Sequence, residues 1–227
     1  MSSFLAANPY FYILLTLGTF LLGRWLFKIT KFPLCNPLLL SSVFIIVFLL
    51  IFKIPVSDYQ SGCSPLQYFL TPATICYAVS MFEKIEKLKK NLLAIVVGVL
   101  AGAVVSLTSI RLMSLLFHLD AQLTNSLLPK SITTAIAMPL TEQVGGIVSI
   151  TITAIMISGL LGNIFAPILA KLFRFDDVSL GVAIGTSSHA IGTSRAIEIS
   201  ELCGAVSGLS LTFAGLITVI LFSFFCM

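Results

Sequence analysis

Between Gly181 and Ser200 the chain reads GVAIGTSSHAIGTSRAIEIS, apolar at both ends, with hydroxyls, a histidine and an arginine gathered in its middle. Thr186, Ser187 and Ser188 lead into His189, and Gly192, Thr193, Ser194 and Arg195 follow it. Hydroxyls donate hydrogen bonds, a guanidinium can grip a carboxylate through two parallel N–H···O bonds, and an imidazole titrates near neutral pH. Residues of these types in one short run describe a seat for a small anion. Thr71, Pro72, Ala73 and Thr74 offer a second such place. Threonine is a good N-cap and proline is favoured at the first helical position, so a half-helix with free N–H groups is expected to begin there. A third polar set, Ser131, Thr133 and Thr134, lies in LPKSITTAIAMPL and is followed by Thr141, Glu142 and Gln143.

Each of these residues also has a purely structural reading. Arg195 and Glu198 are three apart and can pair on one helix face, which would hold the arginine in place, or restrain it until substrate arrives. His189 either carries a proton coupled to anion movement or is a neutral ring satisfied by backbone carbonyls. Glu142 either gates the path or is a solvated carboxylate at a membrane face. Enzymatic readings fare worse. There are two histidines, no HExxH and no GxSxG, so the parts of a metal site or a hydrolytic triad are missing. No cofactor is expected.

The elements that must position these groups follow from composition. The chain is 58% hydrophobic and 10% charged, against roughly 45–50% apolar residues in ordinary soluble domains. It reads as an all-α polytopic membrane protein, in which polar groups at depth survive only when paired or facing a protein-lined cavity. At about 20 residues per span, the length allows about seven crossings and one transmembrane domain. The five cysteines, Cys35, Cys63, Cys76, Cys203 and Cys226, lack CxxC spacing and read as small buried hydrophobes. No cleavable signal peptide is expected.

In chain order, an N-terminal helix occupies residues 1–31, and Arg24, Lys28 and Lys31 place its end in the cytoplasm and the N-terminus outside. A second run ends in a polar turn around Asp58. A third, broken at Thr71-Pro72, returns to the lysine cluster Lys84, Lys87, Lys89 and Lys90. A fourth carries Gly98 and Gly102 in GxxxG spacing, which lets helices approach closely, with Arg111 snorkelling near its outer end. Pro129 and Pro139 bracket about nine residues, roughly 14 Å of helix or half a bilayer, so residues 124–143 read as a half-length re-entrant helix. A further apolar run ends at Lys171 and Arg174. The polar stretch around His189 then crosses outward as a broken helix, and Gly204–Met227 crosses back, leaving the C-terminus in the cytoplasm. Residues 34–118 and 146–227 thus form an inverted 3+3 repeat whose two broken helices meet near the midplane, the layout of secondary transporters.

NPLLL, SDYQSG, LTPATICYAVSMF, LPKSITTAIA and GVAIGTSSHAIGTSRAIE resemble the landmarks of the LrgB/CidB family from Asn36 onward. Ala135, Met138-Pro139 and Ser80-Met81 depart from its usual pattern. The family includes bacterial antiholin-like proteins and the domain of the plant plastid glycolate/glycerate translocator. The resemblance implies transport of small monocarboxylates such as glycolate, glycerate, pyruvate or lactate, and a bacterial inner-membrane location. It also implies an LrgA/CidA-type membrane partner and, together with the small-residue faces, a homodimer. Two functions are carried forward: an alternating-access carrier of a small carboxylate, and a holin/antiholin-like regulator of murein hydrolase activity and autolysis.

Overall fold

The computed structural model describes residues 9–30 and 36–226, leaving aside the side chains of Pro9, Tyr77 and Ser80. Lys31, Cys35 and the first eight residues lie outside that description. The chain is all-helical, with no strand among the described residues. It forms two compact units, residues 1–76 and 77–227.

The first unit holds α1 (Pro9–Thr30), α2 (Pro37–Phe52), α3 (Val56–Gly62) and a 3-10 helix, Ser64–Phe69. Asn36 caps α2, its side chain accepting from the Leu38 N–H at 2.9 Å, and Pro37 fills the first helical position. Tyr12, Ile45, Leu49 and Ile54 make the core, with Phe48 and Tyr59 packed against it. The Thr16 hydroxyl, 2.8 Å from the Tyr59 hydroxyl, ties α1 to α3. The polar segment around Asp58, expected as a turn, is helical. The next helix, α4 (Leu70–Glu83), follows the 3-10 turn without a non-helical residue. Thr71 is therefore inside the helix and not its cap. Pro72 is tolerated because a first-turn N–H has no intrahelical acceptor.

The second unit holds α5 (Ile85–Leu116), α6 (Ala121–Leu127), α7 (Thr134–Gln143), α8 (Val148–Phe173), α9 (Asp177–Ile199) and α10 (Glu201–Phe225). Among the described residues, four helices are long and apolar enough to cross a membrane: Tyr10–Thr30, Ile85–Leu116, Val148–Phe173 and Glu201–Phe225, with Pro37–Phe52 a shorter apolar helix. Much of the remaining apolar length is in two helical hairpins.

The first hairpin is α6, a turn through Pro129–Thr133, and α7. Asp120 caps α6, accepting from Leu123 N at 2.6 Å. Running back along α5, Thr124 bonds Ser114, Leu128 packs on Leu107 and Ile110, and Ser131 lies 2.9 Å from Ser106. The return arm closes on its partner at the base: Asn125 Nδ2 donates to the Val144 carbonyl at 3.3 Å, and Ser126 Oγ accepts from Ile147 N at 2.6 Å. Residues 124–143 double back with helix in both arms, and Pro139, expected to end the half-helix, lies inside α7.

The second hairpin is α9. It is two helical arms interrupted at His189, whose non-helical φ of 40° and ψ of −144° turn the chain back on itself. The start and finish of α9 consequently meet. Ser200 Oγ donates to Asp177 Oδ2 at 2.7 Å, and Leu180, Ile184, Ala196 and Cys203 form one buried cluster. The expected outward crossing by Gly181–Ser200 does not form. An apolar run of this length satisfies a crossing and a hairpin equally, and the pairing across its base selects the hairpin.

This reversal changes the course of α10. Lys84 Nζ and Glu201 lie 2.7 Å apart, Leu88, Ile95 and Val99 cluster with Val206 and Ala214, and Leu107 and Ile110 cluster with Phe222. Thus α5 and α10 run parallel. Lys84–Lys90 and the C-terminal end lie at opposite ends of the unit and cannot both face the cytoplasm, contrary to the sequence-based topology.

Candidate functional site

Both hairpin tips converge on the middle of α8. Ile132 of the first tip packs on Ile155, and Ser158 Oγ donates to the Lys130 carbonyl at 2.9 Å. From the second tip, His189 Nε2 lies 2.8 Å from the Ile155 carbonyl, and Asn163 Nδ2 donates to the Ile191 carbonyl at 3.0 Å. Glycines make this approach possible. A Cβ on Gly159 would stand 2.7 Å from the His189 ring, and one on Gly162 would overlap the Ser188 side chain.

The tips also share a wall of α5. Ser106 touches Ser131 of the first tip, while Gly102 admits Thr186 of the second. Between them is a cavity of about 300 Å³ whose polar lining is Ser106, Lys130, Ser131, Thr186 and Ser187. The rest of the lining is small or apolar, including Gly98 and Gly102. The volume sits at the lower end of the roughly 300–1,000 Å³ typical of small-molecule sites. Thr186 is buried with its Oγ1 unpartnered, and Lys130 Nζ contacts Ser131 Oγ at 3.1 Å without a carboxylate in ion-pair range among the described residues. The arrangement offers hydroxyl donors and one ammonium to an anion, and no acid to bind a cation.

The predicted residues therefore separate into groups. Ser131, Thr186 and Ser187 come together at the cavity. Thr133 and Thr134 begin α7 at the first tip. Ser188, His189, Gly192 and Thr193 are buried in the second hairpin, where Thr193 Oγ1 donates to the His189 carbonyl and lies 2.9 Å from Ser207 Oγ. Ser194 Oγ bonds the Ile191 carbonyl at 2.7 Å. Arg195 pairs with Glu198 on the partly exposed outer side of the return arm. Glu142 is exposed in the last turn of α7. Thr71, Pro72, Ala73 and Thr74 are exposed and belong to the first unit, where Thr74 Oγ1 donates to the Leu70 carbonyl at 2.8 Å.

Two lining groups are new. Ser106 sits as one hydroxyl in an apolar helix, and Lys130 follows the proline that opens a half-length segment. A lysine at such depth is the signal that marks the first tip, because a cation there needs a reason.

The profile of the LrgB-like family matches residues 16–227. The chain is 36% identical over 220 residues to the antiholin-like protein LrgB of Bacillus subtilis (strain 168), covering 96% of this chain and 95% of that protein. It is 33% identical over 220 residues to the antiholin-like proteins LrgB of Bacillus mycoides (strain KBAB4) and Bacillus cereus (strain B4264), covering 96% of each chain. No solved structure matches.

Proposed function

The chain belongs to the LrgB-like family of membrane proteins, and from that premise we propose that it carries a small monocarboxylate anion across the membrane by alternating access. The observation that carries this reading is the pair of re-entrant hairpins entering from opposite ends of the second unit and meeting at a polar cavity. Non-helical backbone at membrane depth is tolerated only where protein or a cavity surrounds it, and secondary transporters place their sites at such interruptions. Residues 85–143 and 148–199 act as the inverted halves, each a long helix followed by a hairpin, and are shorter than the repeats read from the sequence. Rocking or opening one hairpin exposes the site to one side, and the other hairpin serves the opposite side.

In this reading Ser131, Thr186 and Ser187 line the path. His189 and the Arg195–Glu198 pair hold the second hairpin in shape. Lys84–Lys90, Lys171 and Arg174 face the cytoplasm of a bacterial inner membrane, in keeping with the positive-inside rule. The C-terminus is then outside. A homodimer and an LrgA/CidA-type partner complete the assembly.

The names of the relatives favour a second reading, an antiholin-like membrane regulator of autolysis. Purified protein in liposomes separates the two. The carrier takes up labelled pyruvate, glycolate, glycerate or lactate saturably, without passing labelled sucrose. A non-saturable leak of both solutes, or no uptake, contradicts carriage by this chain.

A further inference from the structure

Lys130 is placed where an ammonium is costly. It lies in the turn between α6 and α7, its carbonyl held by Ser158 and its Nζ on Ser131, against α5 and the first arm of α9. Moving an unpaired charge out of water costs several kcal/mol even after relaxation, and proteins offset this with an opposite charge or with hydrogen bonds to the charged group. Here one hydroxyl is supplied and no carboxylate. The same cavity holds the buried Thr186, whose Oγ1 has no partner in the described structure. A cation lacking its anion and a donor lacking its acceptor face one space of about 300 Å³.

The basic residue in the other hairpin does not share this character. Arg195 is already paired with Glu198 and does not line the cavity. Among the described residues no other charged side chain lines it.

The geometry points to Lys130 as the fixed counter-charge of a one-carboxylate site, in which its ammonium binds the carboxylate and the hydroxyls of Ser106, Ser131, Thr186 and Ser187 bind the remaining polar atoms of a short acid. This rests on the carrier reading for its setting and names the group that selects the ligand. One ammonium neutralises one carboxylate. A dicarboxylate would bring a second charge with no cation to meet it, so the site discriminates by charge: short monoanions enter and dianions of similar size do not.

The test is equilibrium binding of labelled pyruvate and labelled glycolate to the purified full chain in lipid nanodiscs, with succinate as the dianionic competitor. Native protein and Lys171→Gln, which removes a cation at the exposed end of α8, bind the monoacids alike, and succinate competes at least tenfold more weakly. Lys130→Met weakens monoacid binding at least tenfold. Native-like binding by Lys130→Met, or succinate competing as well as pyruvate, overturns the proposal. A measurement on native protein covers the case in which the variant does not fold. Pyruvate slows acylation of Lys130 by an amine-reactive ester, read by mass spectrometry, and an unchanged rate overturns the assignment. Liposome uptake distinguishes the two levels. Uptake that survives Lys130→Met refutes the site and leaves carriage standing, whereas Lys130-dependent binding without uptake refutes carriage and leaves the site.

Discussion

His189 holds a left-handed φ of 40° that a side chain-bearing residue adopts at a cost of about 1–3 kcal/mol. Two contacts keep it there: its Nε2 lies 2.8 Å from the Ile155 carbonyl, and its own carbonyl accepts from Thr193 Oγ1 at 2.9 Å. The ring can take this place because Gly159 presents no side chain to it. Gly159→Val should lower stability by about 1–3 kcal/mol, the usual cost of overpacking a tight contact. Thermal unfolding in detergent reads it, and an unchanged melting temperature would contradict the close packing of the second tip on α8. The contact the His189 ring makes is with a backbone carbonyl. Arg195 pairs with Glu198, as their spacing of three residues anticipated. Lys130 was visible in the sequence as a cation in a half-length segment. It stood among several polar neighbours, and only the contacts around its tip set it apart as an unpaired charge.

At the scale of elements, the interruption around His189 was legible, the one expected at Thr71-Pro72 does not form, and the direction taken after an interruption was not legible. Pro129 opens the turn of the first hairpin, whereas Pro139 is accommodated inside α7, and glycines and hydroxyls around His189 marked the second interruption. Whether the chain continues or turns back depends on contacts distant in sequence, such as Ser200 with Asp177 and Asn125 with Val144. Hydropathy is blind to these. The base of the second hairpin also depends on a cap. Asp176 accepts from Ser179 N at 3.1 Å, and bonds from Ser179 hold its carboxyl below the usual carboxylate range. A carboxyl depressed in the folded state stabilises above its unfolded pKa, and that contribution is lost as pH falls through the folded value. Asp176→Ala should therefore cost about 0.5–2 kcal/mol at neutral pH, with the gap to native protein closing in acid. Denaturation at several pH values measures it. A gap that persists at low pH would contradict the role of the ionised cap.

For the whole molecule, the hairpins rearrange what charge alone suggested. Because α9 returns to its starting end, the basic groups at Lys84–Lys90 and at Lys171–Arg174 fall on one end of the second unit, and α10 finishes at the other. Most basic residues of the second unit thus lie at one of its ends, the arrangement the topology rule asks for. The central claim is that one site at the tips opens to each side in turn. It is tested most directly by placing a single cysteine at Ser131 in a chain freed of its five native cysteines. A membrane-impermeant maleimide is then applied separately to each face of sealed vesicles. The account predicts labelling from both faces, slowed by pyruvate, with no passage of the reagent into the vesicle. Labelling from one face alone, or from both with the reagent leaking through, would contradict alternating access.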